Sequence, residues 1–240
     1  MSNIYKVLVP HDFSEVADAA ISHAATVAKS FKGEVVLLHV ISSEKARNES
    51  ESKLTKLAED ASNTYSVAVS FEIRKGSIFD RIPEVGAEIG AMLVVMGTHG
   101  IKGIQHLTGS YALKVIGHSK LPFVVNQGKK SKGSINDIVL PIKFSQETKS
   151  KLSITASIAK HFDATVHIFI SNEKDEFIKT KVKRELTFAK QFFTERKVKY
   201  EVEIAPEHGN FIPQVLDYSS DIDADMIAIC LLYTSPSPRD

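Results

Sequence analysis

The chain has 240 residues, of which 43% are apolar and 25% charged, a balance typical of soluble globular proteins. Thirty basic and twenty-nine acidic side chains leave a formal net charge of +1, which argues against a nucleic-acid or anionic-membrane partner. No apolar run is long enough to cross a bilayer or to act as a secretion signal, and the single cysteine, Cys230, permits no internal disulfide. We therefore expect a cytoplasmic protein with two domains, no membrane and no nucleic acid.

The first half of the chain alternates predicted strands and helices. The predicted strands cover residues 5–10, 34–41, 67–76, 92–96 and 121–126. Ser14 is a candidate N-cap for the first helix, and a third helix that contains Pro83 is expected only if this residue lies near its first turn. Strands separated by helices pair in parallel through right-handed crossovers. The pattern therefore predicts an α/β fold, a doubly wound five-stranded parallel sheet with helices on both faces.

Polar and glycine-bearing residues follow two of these strands. Pro10 to Asp12 follow the first strand, and Gly97 to Gly103 follow the fourth. Glycines permit positive φ angles and a close approach of backbone amides to a ligand. Gly109-Ser110 opens a helix whose unpaired N–H groups favour phosphate oxygens. If the first and fourth strands are neighbours, both turns face one crevice, and Asp12 can accept hydrogen bonds from ribose or adenine.

Each of these residues also has a purely structural interpretation. Asp12 can form an Asx-turn or help to cap the Ser14 helix, and Gly97 can serve only a tight turn. Ser110 can be a simple helix cap. His11 and His99 lack the paired partners that metal binding or acid–base chemistry needs, and we interpret them as loop residues.

The pattern begins again in the second half of the chain. IVLPIKFS aligns with VLVPHDFS, which places Pro141 opposite Pro10 and Lys143 opposite Asp12. Residues 1–127 and 135–229 are therefore predicted to be tandem domains joined by a polar, basic linker at 128–134. Lys143 argues against a second equivalent nucleoside site. Residues 230–240 have no strand or helix pattern and look like the translation of a sequencing adaptor, so we interpret them as a non-native tail that truncates the second domain.

Several motifs in combination resemble the universal stress protein domain. They are the strand followed by PHDFS, a second strand reading LLHV, and VVMGTHG followed by Gly109-Ser110. The resemblance covers residues 4–126 and, more weakly, 137–229. It implies a sheet of order 3-2-1-4-5, a dimeric or tandem assembly, ATP binding in many members, and contact of Val40 with the base. The nucleotide-binding residues predicted on this basis are Pro10, Asp12, Val40, Met96, Gly97, Gly100, Gly103, Gly109, Ser110 and Tyr111.

One departure bears on this expectation. The ATP-binding pattern of the family has nine residues between its second and third glycines, whereas Ile101 to Thr108 supply only eight between Gly100 and Gly109.

Three functions therefore stay open. The first is an ATP-binding regulatory module in the stress response, with Mg²⁺ held through the phosphates. The second is an ATP-independent interaction scaffold, in which two halves or two copies pair. The third is an adenylating or slowly ATP-hydrolysing enzyme, which the absence of a Walker lysine motif and of paired carboxylates disfavours. Valines at Gly97 and Gly109 are expected to block phosphate binding without unfolding the domain.

Overall fold

The computed structural model describes residues 4–98, 109–143 and 148–229. The chain divides into two compact units, residues 1–133 (unit 1) and 134–240 (unit 2). Each unit contains one parallel sheet with helices packed against it.

Unit 1 alternates strands and helices as the sequence predicts. Its elements are β1 (Lys6–Pro10), α1 (Glu15–Ser30), β2 (Glu34–Ile41), a 3₁₀ turn (Glu44–Ala46), α2 (Arg47–Tyr65), β3 (Ala68–Lys75), α3 (Ile78–Glu88), β4 (Ala91–Gly97), α4 (Gly109–Gly117) and β5 (Phe123–Asn126). The sheet is parallel with the order β3-β2-β1-β4-β5, which confirms the predicted fold class and strand order. Strands β1 and β4 are therefore neighbours, so their carboxyl ends meet at one edge of the sheet.

The core of unit 1 lies on both faces of this sheet. On one face, α3 and α4 cover Leu8, Leu38 and Met96, which are all nearly inaccessible to solvent. Helix α1 packs against β1, β2 and β4. Alternating side chains of buried parallel strands supply apolar surface to both faces, which explains why these strands read as continuous apolar runs.

Serine side chains begin two of the helices in unit 1. The Ser14 hydroxyl accepts from the Ala17 N–H and caps α1, as predicted. The Ser77 hydroxyl accepts from the Phe79 N–H and caps α3. The expectation that Pro83 occupies the first turn of α3 is wrong, because Pro83 is the sixth residue of that helix. Burial of Ile82 and Val85 holds α3 on the sheet on both sides of the missing N–H group.

Unit 2 repeats much of this architecture. Its elements are β6 (Asp137–Ile142), α5 (Thr148–Phe162), β7 (Thr165–Ile170), α6 (Glu176–Glu195), β8 (Lys199–Ile204), α7 (Phe211–Asp221) and β9 (Met226–Ile227). Within the described residues its sheet is parallel and has the order β8-β7-β6-β9. This order corresponds to β3-β2-β1-β4 of unit 1. The predicted adaptor tail, residues 230–240, lies outside the described residues.

The segment predicted to be a linker packs on unit 1. The His23 ring donates to the Lys129 carbonyl oxygen at 2.8 Å, and the Ser131 N–H donates to the Ser22 hydroxyl at 2.9 Å. Thr26 donates to the Ser131 hydroxyl at 2.9 Å. These bonds fix residues 129–131 along α1, an arrangement that their polar composition alone does not reveal.

Candidate functional site

A cleft lies at the carboxyl ends of β1, β2 and β4. Four of the predicted site residues line it: Pro10, Asp12, Val40 and Gly97. The cleft encloses about 60 Å³, whereas pockets for drug-sized ligands enclose roughly 300–1,000 Å³. This volume is that of about two water molecules, so a nucleotide would lie across the mouth of the cleft and not inside it.

Asp12 forms the turn between β1 and α1. Its Oδ1 atom accepts from the Ser14 N–H at 3.1 Å and from the Ser14 hydroxyl at 2.5 Å. Asp12 is exposed, and both bonds use the same carboxylate oxygen. The Asx-turn interpretation is therefore confirmed. The second carboxylate oxygen, Oδ2, takes part in neither bond of this turn and is left as an acceptor.

Gly97 is required by the packing of α1 against the end of β4. A Cβ atom at this position would overlap the carbonyl oxygen of Val16 and press on the Ala17 nitrogen. Gly97 does not adopt a positive φ, so its conformation alone does not demand glycine. The expectation that a valine at Gly97 leaves the domain folded is wrong, because the clash is with helix backbone.

Two histidines anchor the β1–α1 turn. His11 is 3% exposed, its Nδ1 accepts from the Phe13 N–H at 3.1 Å, and its Nε2 therefore carries the proton that is shared with Asp18 Oδ1 at 3.1 Å. His39 donates from Nδ1 to the His11 carbonyl oxygen at 2.7 Å. Burial lowers the pKa of His11 and outweighs the opposing effect of the Asp18 carboxylate. His11 is thus a neutral structural residue that positions the turn.

A tilted contact between aromatic rings reinforces this anchor. The rings of Phe13 and His39 have centroids 4.6 Å apart, and Phe13 has a φ of 65°. A positive φ is uncommon for an aromatic residue and costs of order 1 kcal/mol or more. The ring contacts and the His39 hydrogen bond hold Phe13 in this conformation, which directs Asp12 to the rim of the cleft.

The sequence interpretation missed several residues that line the cleft. Leu38, His39, Ile78 and Ile82 line the cleft, together with the His11 that was interpreted as a loop residue. Ile78 and Ile82 are four residues apart on α3, a spacing that places both on one face of the helix. That spacing, and the position of His39 beside Val40 at the end of β2, are the signals that could have identified them.

The other predicted site residues have different positions. Met96 is 1% exposed and belongs to the core beneath α3 and α4. Gly100 and Gly103 lie outside the described residues, as does His99. Gly109, Ser110 and Tyr111 form the start of α4, and their side chains are outside the described part of the structure. Because α4 connects the end of β4 to the start of β5, its first turn faces the carboxyl edge of the sheet.

The corresponding edge of unit 2 has different chemistry. Lys143, which aligns with Asp12, follows β6 and is exposed. Lys151 is only 8% exposed, and its ammonium group donates to the Pro141 carbonyl oxygen at 2.8 Å. Lys143 and Lys151 therefore stand where unit 1 has Asp12 and Ala20.

A larger but open groove of about 520 Å³ lies between α2 and the edge strand β3, away from the strand ends. Among residues 4–98, 109–143 and 148–229 there is no group of three or more His, Cys, Asp or Glu side chains that could hold a metal ion. None of the described helices is both long and apolar enough to cross a membrane.

Comparisons with known proteins agree with this architecture. The family model for the universal stress protein family matches residues 3–126. Universal stress protein MJ0531 of Methanocaldococcus jannaschii is 31% identical over 147 residues, which are 53% of this chain and 86% of that protein. Universal stress protein G of Escherichia coli O157:H7 is 30% identical over 142 residues, which are 51% of this chain and 99% of that protein.

A solved structure extends the likeness in fold to both units. A universal stress protein from Archaeoglobus fulgidus superposes with a TM-score of 0.70 at 18% identity, and the match covers 92% of this chain and 85% of that one. At this identity the match concerns the fold alone. The family model, by contrast, matches the sequence of unit 1. The chain belongs to the universal stress protein family.

Proposed function

We propose that unit 1 is a nucleotide-binding regulatory module of the cytoplasmic stress response, with ATP as its ligand. The observation that carries the proposal is the cleft at the carboxyl ends of β1 and β4, with the Asp12 carboxylate at its rim. In doubly wound sheets, ligands bind where the strand order reverses, and β1 and β4 meet at that position here.

The cleft walls suit the nucleoside end of the ligand. Val40, Ile78 and Ile82 offer apolar surface to a flat base that lies across the mouth of the cleft. Oδ1 of Asp12 is bonded to Ser14, so Oδ2 is the atom available to accept from ribose hydroxyls. In this arrangement Asp12 recognises the nucleoside and makes no contact with phosphate.

The phosphates would then extend towards the start of α4. The first N–H groups of a helix have no partner within the helix and favour phosphate oxygens, and α4 begins at Gly109. Mg²⁺ would be held through the phosphates. Ligand binding would stabilise unit 1 and so report nucleotide supply to a partner protein.

A second candidate function is an ATP-independent interaction scaffold. Two observations favour it: the glycine segment is one residue shorter than the ATP-binding pattern, and Lys143 replaces the counterpart of Asp12 in unit 2. A scaffold would keep the sheet and its helices while the cleft stays without a ligand.

Equilibrium dialysis of adenosine and of MgATP against the full chain separates these functions. We expect both ligands to bind, and Asp12→Asn to weaken both by about tenfold, because one charge-assisted bond to the nucleoside is lost. Asparagine keeps the Oδ1 acceptor of the Asx-turn, so the backbone of the turn is preserved.

Lys143→Ala, at the aligned position in unit 2, is the matched control and should leave both affinities unchanged. Loss of ATP binding with adenosine binding intact would show that Asp12 does not recognise the nucleoside. Absence of binding by the folded wild-type chain would favour the scaffold.

A further inference from the structure

The ring of a buried histidine holds the β1–α1 turn on both sides of Asp12. The Nδ1 atom of His11 accepts from the Phe13 N–H at 3.1 Å, so this hydrogen bond spans Asp12. The His11 side chain is only 1% exposed, and the residue lines the cleft. The position of the Asp12 carboxylate at the rim of the cleft therefore depends on the state of the His11 ring.

The bond from Phe13 requires a neutral His11 ring. A neutral imidazole has one N–H group and one acceptor nitrogen, whereas a protonated imidazole has two N–H groups and no acceptor. Because Nε2 carries the proton that is shared with Asp18, a second proton can enter only at Nδ1. Protonation would then direct the new N–H group at the Phe13 N–H, which would lose its partner in a partly buried site.

The conformation of Phe13 makes the turn sensitive to this loss. Phe13 has a φ of 65°, and a residue keeps such a conformation only while several contacts hold it there. Its ring contacts with His39 and His11, at centroid distances of 4.6 Å and 5.6 Å, do not depend on the proton, whereas the hydrogen bond does. Loss of this bond would let Phe13 relax towards negative φ and would move Asp12 away from the rim.

Three titratable groups face His11 within the described residues. Asp18 of α1 bonds to Nε2, Asp12 is the next residue of the turn, and His39 of β2 donates to the His11 carbonyl oxygen. Burial lowers the pKa of His11 below its ordinary value of 6.5, the two carboxylates oppose this effect, and His39 adds to it. His39 can donate from Nδ1 in both of its protonation states, so its own titration leaves the bond to His11 intact.

We propose that His11 is a positioning residue that couples nucleoside binding at the cleft to the acidity of the solution. The inference rests on the proposed function of unit 1, because it requires that Asp12 recognises the nucleoside. The ligand binds the form of unit 1 in which His11 is neutral, so uptake of a proton at Nδ1 weakens ligand binding, and ligand binding expels that proton. Unit 1 would then hold its nucleotide at neutral pH and release it in acid.

The direction of the pKa shift of His11 sets the pH range of this coupling. Because the pKa lies below 6.5, the affinity should be nearly constant above pH 6.5 and should fall as the pH drops below that value. Exchange of one proton for each bound ligand limits the fall to about tenfold per pH unit.

Equilibrium dialysis of adenosine against the full chain, from about pH 7.5 to about pH 5, tests the proposal in the range where histidine titrates. Adenosine is the probe because it has no phosphate group, whose ionisation at about pH 6 would add a pH dependence of its own. We expect the affinity of the wild-type chain to fall several-fold over this range. Circular dichroism at each pH should show that the chain is still folded.

Two variants separate a titrating His11 from a merely structural one. His11→Asn offers an oxygen acceptor to the Phe13 N–H but does not titrate, so we expect binding a few-fold weaker than wild type at neutral pH and no further loss in acid. Asp18→Asn removes a carboxylate that favours the protonated ring, so the fall in affinity should move to lower pH. His118→Gln, at an exposed position after α4, is the control and should keep the wild-type profile.

The possible outcomes distinguish this inference from the proposed function. A wild-type affinity that stays constant with pH, or a loss in acid that His11→Asn shares with the wild-type chain, would overturn the role of His11 and leave nucleoside binding in place. So would a fall in affinity that Asp18→Asn does not move to lower pH. Absence of adenosine binding to the folded wild-type chain at neutral pH would contradict the proposed function, and the inference with it.

Discussion

At the carboxyl end of its first strand, unit 1 carries Asp12 and unit 2 carries Lys143, although β1 and β6 occupy the same place in their sheets. Behind this position, Ala20 of α1 is buried, whereas the aligned Lys151 of α5 donates to the Pro141 carbonyl oxygen. The central strands β1 and β6 are both largely buried and apolar. The comparison teaches that burial of these strands specifies the sheet, whereas the strand ends are free to change their chemistry.

The two units also bury histidines in different surroundings. His11 of unit 1 has one carboxylate partner, Asp18, at 3.1 Å. His167 of unit 2 has Asp137 at 2.7 Å, Glu201 at 3.7 Å and the Tyr218 hydroxyl at 3.3 Å. Unit 2 thus places two carboxylates and a tyrosine hydroxyl around its histidine, whereas the ring nitrogens of His11 contact the Asp18 carboxylate and the Phe13 N–H.

The largest expected effect comes from Gly97 in unit 1. Gly97→Ala should destabilise unit 1 by about 3 kcal/mol, because the new Cβ overlaps the Val16 carbonyl oxygen of α1. Gly90→Ala is the control, since nothing lies within 4 Å of a Cβ there and only its φ of +64° is strained, which costs about 1 kcal/mol. Urea unfolding followed by hydrogen exchange of unit 1 peptides measures both. An equal loss of unfolding free energy in Gly97→Ala and Gly90→Ala would contradict the proposed clash with α1.

A smaller effect is expected from exchanging the charges at the two strand ends. Asp12→Lys should weaken ATP binding by more than about tenfold, because it gives unit 1 the cation of unit 2 and removes the acceptor for the nucleoside. Lys143→Asp should not create a second site, because Lys151 still occupies the edge of unit 2. Equilibrium dialysis measures the ATP affinity of the Asp12→Lys variant and the number of nucleotides bound per chain in the Lys143→Asp variant. Two bound nucleotides per chain in the Lys143→Asp variant would show that position 143 alone separates the units.

Acid should destabilise unit 1 through His11. The pKa of folded His11 lies below the ordinary value of 6.5, so the unfolded chain takes up the proton first. The stability of unit 1 is therefore complete above pH 6.5 and falls as the pH drops through and below that value. His11→Gln should flatten this part of the profile. Hydrogen exchange of β1 and α1 peptides as a function of pH measures this change in stability, and His118→Gln, at an exposed position, is the control. An unchanged profile in His11→Gln would refute this role.

The smallest effect is expected at Tyr218 in unit 2. Tyr218→Phe removes the hydroxyl bonded to His167 and should cost about 1 kcal/mol, the usual net value of one hydrogen bond. The ring should stay stacked on Phe169, with which its centroid distance is 4.8 Å. Hydrogen exchange of α7 peptides measures the change. A loss of several kcal/mol would show that the hydroxyl supports more of unit 2 than this bond.

The alternation of strands and helices was predictable because apolar periodicity follows directly from burial. The sequence located all five strands of unit 1, and Ser14 capping was readable because a hydroxyl precedes the first apolar helix positions. Pro83 misled the expectation for α3, since tertiary burial of Ile82 and Val85 overrides the local preference. Residues 129–131 looked like a free linker because their bonds to α1 join residues about a hundred positions apart.

The candidate site was less predictable than the fold. Asp12 lies at a strand end and could be found by topology, and Val40 followed from the resemblance to the family. The need for glycine at position 97, by contrast, comes from contact with a different helix. His39 reads as a strand residue, and only the folded chain shows its bond to the His11 carbonyl.

Calorimetric titration of MgATP into the full wild-type chain, repeated with Asp12→Asn, tests the central claim most directly. The account predicts one binding site per chain with micromolar affinity, weakened about tenfold by the substitution. No heat of binding at millimolar ATP from folded protein, or an affinity that Asp12→Asn leaves unchanged, would contradict the assignment of the cleft.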